Sequence, residues 1–346
     1  MRAAIYHEFQ GDLSIEQVAD PTPVTDGVVL KVEATGLCRS DWHGWMGHDT
    51  DIQLPHVPGH ELAGTIVELG SEVKHFRVGD RVTVPFVGGC GKCPQCHAGN
   101  QQVCDKQFQP GFTHWGSFAE YVGIHYANEN LVKLPDEMSF DTAASLGCRF
   151  ITSYRAVVHQ GKVREGQWVV VYGCGGVGLS AIMIAKAKGA QVLAVDINAQ
   201  ALTLARELGA DVMINSSDDQ HLQQIKELTQ GGAHVSIDAL GNKQTCYDSV
   251  ASLRKRGKHI QVGLLAGDDF EPQLPMQLVV ANELEIIGSH GMQAHAYPEM
   301  LDLIASGKLT PQYMIKDRIP LKEAVNRLPK MNEFQQAGIT IINSFH

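Results

Sequence analysis

From Trp168 onward the chain alternates strand-like and helix-like segments, and no other feature restricts its fold so strongly. The runs "WVVVYG", "QVLAVD", "DVMIN", "AHVSIDAL" and "GKHIQVG" are short, bounded by turn residues and mostly rich in β-branched side chains. Between them lie "VGLSAIMIAKAKG", "NAQALTLARELG", "DDQHLQQIKELTQ" and "NKQTCYDSVASLRK", which carry helical spacing. Strands joined through helices pair in parallel, so this half of the chain is expected to form a doubly wound α/β sheet. A further strand, "EIIGS", begins at Glu285; a helix, "AYPEMLDLIASGK", and a last strand, "GITIIN", follow.

The first turn of that alternation carries chemistry. In "VYGCGGVG" the residues Gly173, Gly175 and Gly178 satisfy G-x-G-x-x-G, with Gly176 among them, after a strand and at the start of a helix. The first glycine permits the tight turn, the second lets backbone N–H groups approach a pyrophosphate, and the third lets helix pack on strand. The helix N-terminus favours the phosphates. Asp196 ends the next strand, about 20 residues on, where an acidic side chain accepts from ribose hydroxyls and repels a 2′-phosphate. The following "INAQA" offers no Arg or Lys, so NAD is expected over NADP.

The first 140 residues read differently. "RAAIY", "VVLKVEATG", "ELAGTIVELG", "DRVTVP" and "GSFAEYVGI" are strand-like runs between Gly, Pro and Asp turns, which suggests a barrel-like β unit. Helical spacing takes over in "DTAASLGCRFITSYRAVVHQ", residues 141–160. With 346 residues in all, two domains are the expectation.

Within the β-rich part, "CGKCPQCHAGNQQVC" sets Cys90, Cys93, Cys96 and Cys104 in a C-x2-C-x2-C-x7-C run. Two-residue spacing suits a chelate loop better than a disulfide, and four thiolates can close around one tetrahedral ion. Structural zinc is the first reading; iron–sulfur binding, redox disulfides and chance stay open. Cys38, His60 and Cys148 lie far apart in sequence, yet two thiolates and one imidazole would make a three-ligand set with an open fourth position. Separately, each could be an ordinary core residue.

Taken together, "GHELAGTIVELGSEV", "VGDRV", the four-cysteine run, "GSFAEY" and "GCGGVG" resemble the zinc-dependent alcohol dehydrogenases of the medium-chain dehydrogenase/reductase superfamily, over essentially the whole chain. The resemblance implies a GroES-like β-rich catalytic domain, residues 1–150 and 290–346, around a Rossmann NAD-binding domain, residues 151–289. It implies two Zn2+ per chain: a catalytic ion on Cys38, His60 and Cys148, with Glu61 as an alternate ligand, and a structural ion on the four clustered cysteines. It further implies Ser40 and His43 as a proton relay, through the cofactor ribose towards solvent, Asp41 as the carboxylate orienting the zinc-bound histidine, and Arg39 as a pyrophosphate contact. Phe86 falls where relatives place a pocket-wall aromatic, and Trp42 and Trp45 are further pocket candidates. The expected reaction interconverts alcohols with aldehydes or ketones, primary alcohols favoured, and the expected assembly is a homo-oligomer, the tetramer favoured. A secondary-alcohol or polyol dehydrogenase is the alternative within the family, although Cys148 counts against the polyol pattern, where a carboxylate commonly stands. Outside enzymes, a zinc-thiolate redox sensor or a silent structural relative would share the motifs.

A net charge of −10 argues against nucleic acid or an anionic membrane as partner. "MRAAIYHEFQGD" holds no apolar signal core, and the uncharged stretch Trp168 to Ala185 is interrupted by four glycines, so a cytoplasmic location is expected.

Overall fold

The computed structural model describes residues 1–333 and 337–345 and contains two large sheets. The second half forms six parallel strands in the order Val212–Asn215, Gln191–Asp196, Trp168–Tyr172, Ala233–Asp238, Leu253–Gln261, Glu285–Gly288. Numbered along the chain this is 3-2-1-4-5-6, the Rossmann order, whose reversal beside the first strand opens a crevice at the strand ends. The helix Gly176–Ala187 is buried along Gly178–Ala185, which explains why that stretch is uncharged without a membrane. No helix among the described residues is long and apolar enough to cross one.

The first half builds a mostly antiparallel sheet on the ten-residue strand Val28–Leu37, which pairs with Glu61–Leu69 and Tyr121–Ile124. The end of the chain returns to it: Ile339–Ser344 pairs antiparallel with Val28–Leu37, and Ile315–Pro320 pairs in parallel with Ile339–Ser344 on its other side. Expected strands "DRVTVP" and "GSFAEYVGI" contract to Arg81–Thr83 and Tyr121–Ile124. The expected helix through "SLRK" ends earlier, at Ala251, because Ser252 Oγ donates to the Ser249 carbonyl and Leu253 enters the next strand.

Between the sheets runs the segment 140–160, where a regular helix was expected. Only Phe140–Ala144 and Ile151–Tyr154 are α-helical; Leu146–Phe150 and Arg155–Gln160 are wider π-type turns. Thr152 Oγ1 donates to the Cys148 carbonyl (2.7 Å) and Ser153 Oγ to that of Arg149 (2.9 Å). Such bonds tap carbonyls of the helical ladder, and widened turns recur where a helix must present a functional side chain. Here the widened turn presents Cys148.

Candidate active site

Cys38 follows the central strand and caps the helix Arg39–Trp45. Asp41, buried in that helix, accepts from the Cys38 backbone N–H through Oδ2 (3.0 Å) and from the Gly59 N–H through Oδ1 (2.9 Å). The same Oδ1 lies 2.8 Å from His60 Nδ1. One carboxylate thus ties together the two elements that carry Cys38 and His60, and takes up one nitrogen of the histidine. The other nitrogen, His60 Nε2, is fully buried beside the Cys38 sulfur and makes no hydrogen bond of ordinary geometry among the described residues. A buried polar atom left so costs free energy unless something binds it.

What surrounds it suits a metal. The donor atoms of Cys38, His60, Glu61 and Cys148 all lie within 4.8 Å of one another. A hydrogen bond from Cys148 holds the Cys38 thiol well below its ordinary pKa, with Arg149 and His60 helping against burial; the same contact, with burial, pushes Cys148 up. One thiol therefore keeps the proton that the other gives up, and a divalent cation would release both. The donor set fits zinc: Cys38, His60 and Cys148 would supply two sulfurs and an imidazole, and both cysteines line the cleft.

Glu61 faces a second partner that the sequence did not reveal. Its carboxylate forms a forked ion pair with Arg149, Oε1 to Nε at 2.8 Å and Oε2 to Nη2, and Oε1 also accepts from the Arg149 backbone N–H (3.2 Å). Burial raises the Glu61 carboxyl to about 7 despite the guanidinium. Gly36 makes room for this pair, since a Cβ there would overlap Glu61 Oε2.

The four-cysteine run also closes up. The sulfurs of Cys90, Cys93, Cys96 and Cys104 lie within 4.8 Å of one another and are buried. Backbone N–H groups point at them: Cys96 to Cys93 (3.5 Å), Lys92 to Cys90 (3.4 Å), Cys90 and Lys106 to Cys104 (3.3 and 3.2 Å). The Cys96 N–H is the main reason the Cys93 thiol falls to about 6. The described cysteines form no disulfide. Thiols set this closely and fed by amide donors fit a closed metal site, as the spacing suggested.

A cleft of about 980 Å³ separates the sheets and is lined by Cys38, Arg39, Ser40, His43, Phe86 and Cys148 on one wall and by Gly175 and Gly176 on the other. The glycines divide the work. Gly173 has φ +87°, which a side chain would strain, and a Cβ on Gly178 would overlap the Gly173 carbonyl. A Cβ on Gly175 would meet nothing among the described residues, leaving an open cradle before the N-terminus of the helix Gly176–Ala187, which has no side-chain cap. That cradle fits a pyrophosphate. Gly176 yields its space to the Arg149 stem. Asp196 closes the loop from the next strand, accepting from the Cys174 N–H (2.6 Å) and the Asn198 N–H (2.8 Å).

Two expected pocket residues lie elsewhere. Trp42 and Trp45 belong to the hydrophobic core and do not line the cleft. Trp45 Nε1 donates to the Gly11 carbonyl (2.8 Å), and Trp42 stands edge-on to His43 and His48. Both sit on a short helix whose apolar face packs inward, so their bulk supports the wall from behind. Phe86 does line the cleft, with Phe112 and His290, which sequence reading passed over. Phe112 lies 5.1 Å from the His60 ring and His290 5.3 Å from Phe86. Arg39 hydrogen-bonds Asn332 and covers the Trp42 ring at the cleft.

Residues 25–136 match the model of the alcohol dehydrogenase GroES-like domain, and residues 176–306 that of the zinc-binding dehydrogenases. An alcohol dehydrogenase of Geobacillus stearothermophilus is 34% identical over 332 residues, 95% of this chain and 96% of that one. An NAD-dependent alcohol dehydrogenase of Sulfurisphaera tokodaii is 35% identical over 354 aligned positions, 99% of each. Among solved structures, benzyl alcohol dehydrogenase from Acinetobacter calcoaceticus superposes with a TM-score of 0.92 at 28% identity, covering 99% of both chains.

Proposed function

The chain belongs to the zinc-binding alcohol dehydrogenases of the medium-chain superfamily, and from that premise we propose that it oxidises primary alcohols to aldehydes, reversibly, with NAD and two zinc ions. Oxidation of an alcohol by NAD is the family's reaction; the alcohol class, the ion count and the residue roles are this reading's own. The observation that carries it is His60 Nε2, buried without a hydrogen bond among the described residues and clustered with Cys38 and Cys148, which line the cleft that also holds the glycine loop.

Cys38, His60 and Cys148 would hold the catalytic zinc, with Glu61 in reserve, and the clustered cysteines the structural one. Bound there, zinc supplies Lewis-acid polarisation of the substrate oxygen, while NAD takes the hydride. The chain's own groups do the rest. Ser40, at the cleft wall two residues after Cys38, takes the hydroxyl proton and passes it to His43. Burial, then His48 and Arg39, hold His43 near 4, so the ring is neutral and free to receive it. Gly175 and the helix behind it receive the pyrophosphate with Arg39, and Asp196 selects the unphosphorylated ribose. Phe86 and Phe112 exclude water and give the substrate an apolar wall, which supports a primary, aromatic or aliphatic alcohol over a polyol. The benzyl alcohol dehydrogenase that superposes on the chain supports the same preference.

A homo-oligomer, the tetramer favoured, completes the reading, as does a cytoplasmic setting and the division into catalytic residues 1–150 and 290–346 around cofactor residues 151–289. The edge strand Glu285–Gly288 supports association: its outer edge is unpaired among the described residues, Ile286 is exposed, and the adjacent helix Met276–Ala281 buries no residue. NADH formation by zinc-replete protein across primary, secondary and polyhydric alcohols tests the reading. A higher kcat/KM for primary alcohols is expected, and a polyol preference would overturn it.

A further inference from the structure

His43 is not the end of the path. Its Nδ1 lies 2.9 Å from Nδ1 of His48, a residue no motif singled out. We propose that His48 carries the proton from His43 to solvent, so that the exit from the active site ends in a pair of imidazoles. This inference rests on the relay reading of Ser40 and His43.

The backbone is shaped to bring the rings together. Past the helix Arg39–Trp45 the chain turns at Gly47, whose φ of +81° suits glycine, and its N–H donates to the Gly44 carbonyl (3.0 Å). The next N–H, of His48, donates back to the His43 carbonyl (3.0 Å). This returns His48 over His43, ring centroids 5.2 Å apart, and the buried Trp42 stands edge-on to both, at 5.0 and 5.9 Å. A histidine on an exposed turn is ordinarily free to rotate. This one is seated between an aromatic edge and a ring nitrogen.

The chemistry asks for such a neighbour. Each turnover in the oxidative direction releases one proton besides the hydride. Half-buried and next to Arg39, His43 is a poor place to store it as a cation. At 2.9 Å one Nδ1 must donate and the other accept, so the two rings share a proton when both are neutral. A proton arriving at the far nitrogen of His43 can leave from its Nδ1, enter Nδ1 of His48 and depart from Nε2 of that exposed ring to water. No charge is left behind. The charged groups around the pair are Arg39 on the same helix, Asp49 beside His48, and Asp269, Arg149 and Arg327 on the other cleft walls, with Cys38, Cys148 and His290 titratable there.

The test uses the zinc-replete protein and the variants His48→Asn, His48→Ala and His43→Ala. Asparagine keeps an amide within reach of His43 but cannot relay a proton. Proton release in a single turnover is followed with a pH indicator, alongside kcat and KM from pH 5.5 to 9 at low and high buffer concentration. Both His48 variants should release the proton roughly tenfold more slowly in dilute buffer, with KM unchanged and recovery in concentrated imidazole. Wild-type release rates in both His48 variants, with slow release in His43→Ala, would end the path at His43 and overturn the inference alone. Wild-type release in His43→Ala would overturn the relay reading with it. A loss that imidazole does not restore, or one that appears in KM, would make His48 a packing residue and equally overturn the inference.

Discussion

The carboxylate of Asp41 and the ring of His60 form a wholly buried pair, Oδ1 to Nδ1 at 2.8 Å, that leaves Nε2 of that ring turned away from Asp41, towards the Cys38 and Cys148 sulfurs. Asp41 also receives the backbone N–H groups of Cys38 and Gly59. Removing it frees the ring to rotate and unties both segments. Asp41→Ala should weaken zinc binding by roughly 10- to 100-fold, the usual cost of losing a carboxylate behind a metal-bound histidine. Competition against a chromogenic chelator reads this directly, and an unchanged affinity would remove Asp41 from the site.

Glu61 and Arg149 set up a sharper energetic contrast. The pair is buried, and the guanidinium is held fully charged, against burial, by Glu61 and Cys38. Arg149→Met should therefore leave an uncompensated acid and cost about 3–5 kcal/mol in guanidinium unfolding. Adding Glu61→Gln should recover most of that loss, because removing both charges also removes their desolvation. Equal stability of the single and double variants would mean the pair contributes nothing beyond shape.

This ion pair also marks where the sequence stops being readable. The four clustered cysteines and the glycine loop declared themselves because their geometry is local: each group sits within one turn or one strand–helix junction. The parallel sheet was legible for a related reason, since strand and helix periods alternate along the chain. Glu61 and Arg149 are 88 residues apart, and no pattern in either segment names the other. His48 meets His43 through the turn at Gly47, so the letters "HGWMGH" hold the pair without showing it. Trp42 and Trp45 misled for the opposite reason. Their place near the ligands in sequence suggested the pocket, but the inward face of a short amphipathic helix buries them in the core.

The glycine loop separates folding from binding at two positions three residues apart. At Gly178 a methyl group would strike the Gly173 carbonyl, so Gly178→Ala should destabilise the domain by a few kcal/mol through forced backbone movement. At Gly175 a methyl group comes within 4 Å of nothing among the described residues beyond its chain neighbours and would project into the cradle. Gly175→Ala should keep the wild-type Tm while NAD affinity drops at least tenfold. Calorimetric unfolding and NADH fluorescence titration distinguish the two; tight NADH binding by Gly175→Ala would place the pyrophosphate elsewhere.

Stability should depend on pH through His43. Its folded-state value, about 4, lies below the ordinary value of about 6.5 for a histidine in an unfolded chain. The unfolded chain therefore takes up a proton first, so stability is full above about 6.5 and is lost as pH falls towards 4. His43→Gln should lose less stability between pH 7 and pH 5 than the wild type does, measured as the shift in denaturant midpoint. Parallel losses in both proteins would mean that His43 is not among the groups responsible.

The four-cysteine lobe should be held by its ion more than by apolar contact. Around the sulfurs, Tyr126 alone among the described residues packs as a hydrophobic neighbour. The remaining hold is polar: Asn130 pins Gly89 by accepting from its N–H (2.7 Å) and donating to its carbonyl (2.9 Å), and Gln101 donates to Glu129 (2.5 Å). A loop so poor in core would depend on a bound metal for order, because the binding free energy of an ion there would also be folding free energy. On the proposed two-ion reading, Cys104→Ser should lower the zinc content by one ion per chain, and the loss should appear as proteolytic nicking within residues 90–104 before global unfolding. The remaining ion should be the one at Cys38, His60 and Cys148, so turnover should persist at low temperature and fail on warming. Metal analysis with limited proteolysis decides the matter: two ions retained, or a protease-resistant lobe after loss of one, would show that the loop stands without zinc.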